Sequence, residues 1–341
     1  EFQNMKILII GPSWVGDSVI SQSLIKVILT KSKEAKIDVL SPEWTRNIFE
    51  RMDEVSETII LPFSHGEKKI KERVDLGKKL KEKNYDQAIV LPNSFKSSLV
   101  PYFGEIPIRT GWRGEMRYFL INDMRILDKN IFPRMVDRFV ALSFKKNENL
   151  PSSIPYPSLR IDEKNLDSLR VTFGIDSSSP LICLCPGAEF GPAKRWPTNY
   201  YSEVANDYLK KNWQVILLGS PNDIPVGEEI KKNINKESGF LNLIGKTKLV
   251  DTIDILSSSN LVLTNDSGLM HIAASVDVPL VALYGPTSPE FTPPLSNKVK
   301  VIKKNKGFTK LRSGDLEGGY HQSLKDIKPK EVLAALLEFE S

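Results

Sequence analysis

The 341-residue sequence predicts an α/β protein of two Rossmann-like parallel-sheet domains in tandem. Three observations carry this. Short, continuously apolar runs such as Ile7-Leu8-Ile9-Ile10 alternate with longer amphipathic stretches, the pattern of βαβ units whose strands are covered on both faces. The alternation stops at Asn147–Pro157, which holds three prolines and two serines, and then resumes. The length suits two domains at roughly 150 residues each.

In the first half, Met5–Ile10, Ile37–Leu40, Thr58–Leu61 and Gln87–Leu91 read as strands, with helices at Ser18–Leu29, Trp44–Arg51 and Lys68–Lys83. In the second half, strands fit Leu181–Cys185, Gln214–Leu218, Leu241–Ile244, Leu261–Thr264 and Leu280–Tyr284. Helices fit Asn199–Lys211, Leu249–Ser257 and Leu269–Ala274. Pro329 sits near a first-turn position and opens a last helix, Lys330–Phe339. No internal repeat of fixed period is evident. The expected domains are 5–150, 158–325 and a C-terminal helix, 326–341.

The net charge of +5 is compatible with an anionic partner and too small to argue for nucleic acid. Cys183 and Cys185 lie two apart in an apolar run, which excludes a disulfide framework and fits a reducing compartment. His65, His271 and His321 are scattered and offer no zinc spacing. No apolar run reaches the ~18 residues of a membrane helix. Glu1–Asn4 read as a remnant ahead of a natural start at Met5.

Ligands of such sheets bind beyond the carboxyl ends of the strands, so the loops after strands carry the functional reading. The first is Gly11-Pro12-Ser13-Trp14-Val15-Gly16-Asp17-Ser18. It nearly matches the phosphate-binding Gly-x4-Gly-Lys-Ser/Thr loop, but Asp17 stands where the lysine should be, and a carboxylate repels phosphate. Asp17 reads either as a helix N-cap or as a general base, and the two are compatible. The helix N-terminus favours its ionised form.

In the second half, Pro186-Gly187-Ala188-Glu189-Phe190-Gly191-Pro192-Ala193-Lys194-Arg195-Trp196-Pro197 brings two adjacent cations to a glycine-containing loop, which suits phosphate or simply a solvated basic loop. Asn265-Asp266-Ser267-Gly268-Leu269-Met270-His271 opens a helix whose free N–H groups can hold an anion, with His271 one turn inside. Asp266 could equally be only an N-cap. Gly219-Ser220-Pro221-Asn222-Asp223 could meet a ribose or base, or be a plain turn. Two basic stretches stand out in the first half. Glu67–Lys83 has helical spacing and reads as a solvated face. Arg109–Arg138 carries six arginines and one lysine against four acidic residues, with Trp112, Tyr118 and Phe119 interleaved. Single-stranded nucleic acid, an anionic sugar or a phospholipid would each suit it.

These strings, with Leu91-Pro92-Asn93-Ser94-Phe95-Lys96-Ser97, Arg109-Thr110-Gly111-Trp112-Arg113-Gly114-Glu115 and Gly319-Tyr320-His321-Gln322-Ser323-Leu324, resemble the ADP-heptose:lipopolysaccharide heptosyltransferases over almost the whole chain from Met5. The resemblance implies a glycosyltransferase-B architecture, two Rossmann-like domains facing across a cleft, with the final helix packing back on the first. It implies a donor, ADP-L-glycero-β-D-manno-heptose, on the second domain and a Kdo-lipid A acceptor on the first. The family's catalytic aspartate falls on Asp17, its phosphate-contacting lysine on Lys194, and its Asp-x-Gly-x-x-His segment on Asp266, Gly268 and His271. Ser267, Gly187 and Gly219 complete the implied donor set, with a ribose-binding acid near Asp223. Ser13, Trp14, Asn93, Lys96, Arg113 and Arg117 form the implied acceptor set. Members that add the first heptose carry a threonine-rich turn before the lysine. Ala188-Glu189-Phe190 stands there instead, which favours the branch that adds the second heptose.

The expected reaction inverts the sugar's anomeric centre. Asp17 accepts the acceptor's proton, while Lys194, His271 and the Ser267–Leu269 helix start stabilise the departing ADP. No Asp-x-Asp pair occurs, so neither a metal nor another cofactor beyond the nucleotide-sugar substrate is expected. The expected partners are that donor and an anionic glycolipid, not nucleic acid. The protein is expected to act as a cytoplasmic monomer on the inner face of the cytoplasmic membrane. Addition of the first heptose, a sugar-nucleotide epimerase of the same architecture and a non-catalytic anion-binding protein are the rival readings.

Overall fold

A computed structural model describes residues 4–63, 66–146 and 148–340. His65, Asn147 at the head of the expected linker, and residues 1–3 lie outside the described residues. The chain divides into two compact units, Glu1–Pro157 and Ser158–Ser341.

The first unit contains strands β1 (Lys6–Ile10), β2 (Lys36–Pro42), β3 (Glu57–Leu61), β4 (Gln87–Val90), β5 (Ile108–Trp112) and β6 (Asp123–Arg125). Its helices are α1 (Val15–Ile20), α2 (Gln22–Lys31), α3 (Glu43–Glu50), α4 (Ile70–Leu80), α5 (Leu99–Phe103) and α6 (Met135–Ala141). All strand pairs are parallel, in the order β3-β2-β1-β4-β5-β6. The buried side chains of Leu8, Ile10, Ala88 and Val90 on β1 and β4 centre the core. The helix expected at Ser18–Leu29 is two helices, with Ser21 at the joint and its hydroxyl donating to the Ser18 carbonyl at 2.7 Å. The Pro-rich connection is strapped to α2: the Ser23 hydroxyl donates to the Pro155 carbonyl at 2.7 Å and the Lys26 ammonium to that of Tyr156 at 2.9 Å.

The second unit contains α7 (Glu163–Phe173), β7 (Leu181–Cys185), α8 (Thr198–Lys210), β8 (Gln214–Leu217), α9 (Ile224–Lys232), β9 (Phe240–Asn242), α10 (Leu249–Ser257), β10 (Leu261–Asn265), α11 (Gly268–Ser275), β11 (Leu280–Tyr284), β12 (Val299–Lys303), α12 (Gln322–Lys325) and α13 (Pro329–Leu337). Its sheet is also parallel, ordered β12-β11-β10-β7-β8-β9. Counted from its own first strand, this is the same winding as the first unit, so a repeat invisible in the sequence exists in the topology. Cys183 and Cys185 on β7 are buried and unbridged, and burial pushes the Cys183 thiol up to about 12.

The last helix contributes to the second unit's core. Ile327, Val332 and Leu336 belong to the second unit's own core, with α13 packed on α8 and β11. The Trp196 indole N–H fixes the approach by donating to the Ile327 carbonyl at 2.9 Å. These side chains therefore help complete the second unit's core.

Candidate active site

In a doubly wound sheet, the loops diverge where the strand order reverses, which opens a crevice. That point lies between β1 and β4 in the first unit and between β7 and β10 in the second.

The first crevice is a cavity of about 390 Å³ whose lining includes Ser13, Trp14, Asp17, Trp44, Asn93 and Lys96. Gly11 makes the turn after β1, where a Cβ would stand 3.2 Å from both the Leu40 carbonyl and the Phe49 ring. The chain enters α1 earlier than expected. Trp14, not Asp17, occupies the N-cap, so the capping alternative for Asp17 falls. Asp17 instead sits in the first turn, where the helix dipole favours negative charge, and it lines the cavity. The Trp44 indole N–H donates to the Ser13 carbonyl at 2.7 Å, which holds an aromatic wall beside Trp14.

The cation side of this cavity differs from the one expected. Arg117 is 1% exposed. Its guanidinium donates to the carbonyls of Trp112 at 2.6 Å and Pro92 at 2.7 Å, and reaches Ser97, Ser98 and Asn93 at 3.2 to 3.3 Å. It clamps the loops after β4 and β5 together and is not presented to a ligand. Arg113 is exposed and is not among the lining residues. Much of the Arg109–Arg138 series is likewise structural. Arg109 donates to the Leu120 and Ile106 carbonyls, Arg125 is held by Asp123, and Arg134 by Asp137. Arg138 donates to the Phe132 carbonyl while lining the cavity.

Lys96 does reach the cavity, and Arg73 joins it. Arg73 belongs to the stretch read as a solvated face, yet it is buried. It donates to the Lys68 carbonyl at 2.8 Å and lies 4.8 Å from the Phe63 ring. Burial lowers the pKa of both side chains, and Arg73's charge lowers that of Lys96 further.

The second crevice is built from ion pairs. Lys194 meets Asp266 at 2.7 Å, and the Thr287 hydroxyl donates to the same carboxylate oxygen at 2.5 Å. Arg195 lies 3.4 Å from Asp223, whose carboxylate also accepts from the Ser220 N–H and hydroxyl. Gly187 exists for that carboxylate: a Cβ there would come within 2.3 Å of it, and one at Gly219 within 3.2 Å. Ser267 is the N-cap of α11 and its side chain makes no capping bond. Behind it, Asn265 knits the loops. Its amide donates to the Pro186 carbonyl at 2.7 Å, and its oxygen accepts from the Tyr201 hydroxyl at 2.9 Å and the Trp196 N–H at 3.2 Å. Sequence reasoning passed over Asn265, Thr287 and Arg73. The roles of Asn265 and Thr287 depend on partners distant in the chain, and that of Arg73 on nearby backbone carbonyls that any residue offers.

His271 is buried, and desolvation lowers its pKa to about 4, despite the opposing pull of Asp266. It is a neutral imidazole at physiological pH, able to exchange a hydrogen bond with an anion but not to balance its charge. Among the described residues, no group of three or more His, Cys, Asp or Glu side chains is placed to hold a metal ion. No helix among them is long and apolar enough to cross a membrane.

Paired Rossmann-like units of this kind, with ligand loops at both reversal points, are the architecture of glycosyltransferases of the B type. The chain belongs to glycosyltransferase family 9 (heptosyltransferase), whose family model matches residues 73–321. It is 50% identical to the lipopolysaccharide heptosyltransferase 2 of Salmonella typhimurium over 339 residues, covering 97% of each chain. It is 46% identical to the lipooligosaccharide heptosyltransferase 2 of Haemophilus influenzae, covering 98% of this chain and 99% of that one. A solved structure of the E. coli ADP-heptose lipopolysaccharide heptosyltransferase II superposes with a TM-score of 0.90 at 47% identity, covering 99% of this chain and 100% of that chain. The fold class and the family expected from the sequence both hold.

Proposed function

We infer that the protein transfers L-glycero-D-manno-heptose from ADP-heptose to the first heptose of the lipopolysaccharide inner core. The observation that carries this is the end-to-end match, at 46–50% identity, to proteins named for heptosyl transfer as the second such enzyme. The second unit takes the nucleotide sugar and the first takes the acceptor. Asp17, in the cavity of the first unit, accepts the proton of the attacking hydroxyl. The heptose is attacked opposite its diphosphate, with inversion.

Lys194 exchanges part of its contact with Asp266 for the diphosphate. The N–H groups at the start of α11 and the neutral His271 add hydrogen bonds to the charge that develops as ADP leaves. Asp223, with Gly187 and Gly219 opening the space around it, faces the ribose. Lys96 and Arg73 supply positive charge to an acceptor bearing acidic groups, and Trp14 and Trp44 supply sugar-facing surface. The protein acts as a monomer at the inner face of the cytoplasmic membrane, without a metal.

The test is ADP release from ADP-heptose with and without heptosyl-Kdo-lipid A. Release that requires the acceptor is the expected result. Isomerised sugar from the donor alone would point to an epimerase and overturn it. Chelator should leave transfer unchanged; loss restored by Mg²⁺ would sink the metal-free reading.

A further inference from the structure

Charge accounting at the second crevice leaves a gap. A departing nucleoside diphosphate carries more than one negative charge, and both cations of the Lys194-Arg195 pair already face carboxylates, Asp266 and Asp223. His271 is neutral. Additional positive charge must come from elsewhere in the unit.

The segment after β12 supplies it. The Lys303 ammonium donates to the carbonyls of Thr287 and, at 2.9 Å, of Gly307. The Thr309 N–H donates to the Pro286 carbonyl at 2.7 Å, and the Arg312 carbonyl accepts from the Ala193 N–H at 3.1 Å. Gly191 permits that last approach, since a Cβ there would stand 2.2 Å from the Arg312 oxygen, at a φ of 148° that disfavours side chains. The segment is thus laced by its backbone across the loops that follow β7 and β11. Its side chains remain available. Lys310 and Arg312 are exposed and form no ion pair among the described residues. Both converge with Lys194 on the Phe190 ring, at 5.4, 5.6 and 5.7 Å respectively from its centroid. Three cations gathered on one aromatic ring, of which Lys194 is paired with Asp266, form a site for an anion.

We propose that Lys310 and Arg312, seated around Phe190, form an anion subsite beside Lys194 that binds phosphate oxygens. This rests on the donor role inferred above for the second unit. Two molecules of that reaction offer such oxygens, the donor's diphosphate and a phosphorylated acceptor, and the position beside Lys194 favours the diphosphate. The negative face of the Phe190 ring attracts these cations and keeps them together before the ligand arrives.

The experiment compares the full chain with a Lys310→Gln/Arg312→Gln double variant and with Lys310→Arg/Arg312→Lys, which keeps the charge. Calorimetry reads binding of ADP and of adenosine, and steady-state kinetics reads acceptor KM. For the diphosphate, the glutamine variant should bind ADP about tenfold more weakly at low salt, bind adenosine normally, and recover most ADP affinity when the charges are restored. An unchanged ADP affinity with acceptor KM raised about tenfold would support the subsite with the acceptor's phosphate as its ligand. The proposal is overturned if ADP affinity and acceptor KM both stay within about twofold of the unaltered protein. Equal weakening of ADP and adenosine would also overturn it, since that reports a disturbed fold. If the unaltered protein binds ADP but transfers no heptose, the inferred reaction fails while the binding comparison still decides the subsite.

Discussion

The two units are wound in one strand order and open their crevices at the same topological point, yet they treat charge in opposite ways. In the first, the crevice is an aromatic-walled cavity with Asp17 in the opening turn of α1, and most nearby arginines donate to backbone carbonyls. In the second, the cations lie against carboxylates, Lys194 on Asp266 and Arg195 on Asp223. The winding determines where ligands go, and the side chains of two or three loops determine which chemistry is possible there. A base must keep an ionised carboxylate facing a proton to be removed. A leaving-group site must hold cations in place until an anion arrives, and paired carboxylates do that at low cost in mutual repulsion.

The largest expected effect tests the first unit's side of this contrast. Asp17→Asn should reduce turnover by about 10²–10⁴-fold and leave ADP affinity unchanged. Near-normal turnover would remove the base from the first crevice. Arg117→Ala comes next. It strands buried carbonyls at Pro92 and Trp112 and should cost about 3 kcal/mol of stability, several degrees in thermal midpoint, with acceptor KM raised and ADP affinity unaltered. An undiminished midpoint would show that the clamp is dispensable. Lys194→Ala should weaken donor use about tenfold to a hundredfold without touching acceptor KM. If donor affinity and turnover are both unchanged, the second crevice does not hold the donor.

The smallest effect is a pH slope. Below pH 6.5 the unfolded chain protonates His271, which the folded chain resists until about pH 4. Stability therefore falls as pH drops through that window, by at most about 1.4 kcal/mol per unit, and the contribution vanishes above pH 6.5. Chemical denaturation at pH 7 and pH 5 should show His271→Gln losing less stability on acidification than the unaltered chain. Equal losses would contradict a buried, neutral imidazole.

Much of this organisation was legible in the sequence. The apolar runs became β1, β2, β4, β7, β8, β10 and β11, because strands covered on both faces must be apolar throughout. Of the four edge strands, β3 and β9 were legible as Thr58–Leu61 and Leu241–Ile244, while β6 and β12 were not. β6 is Asp-Met-Arg and β12 alternates Val and Lys, so neither carries a core signature. The loops after strands drew attention to Asp17, Lys194 and Asp266, and the structure places Asp17 in the cavity of the first unit and pairs Lys194 with Asp266. Their partners were out of reach, since the carboxylate facing Lys194 comes from a different strand–loop unit. The arginine-rich stretch shows the limit most plainly. Counting charges in Arg109–Arg138 suggested a ligand surface, but the acceptors that hold Arg109 and Arg117 are backbone carbonyls, and every residue has one.

The burial of α13 in the second unit bears on how the molecule is made. The core cluster around β1 and β4 draws on residues up to Met124 among the described residues, so it can close while the rest is still being translated. The second unit cannot, because Ile327, Val332 and Leu336 fill the same core as Trp196 and Tyr208. Until the ribosome releases that helix, an incomplete apolar surface persists on a half-built partner. Synthesis therefore completes the core of the first unit before that of the second.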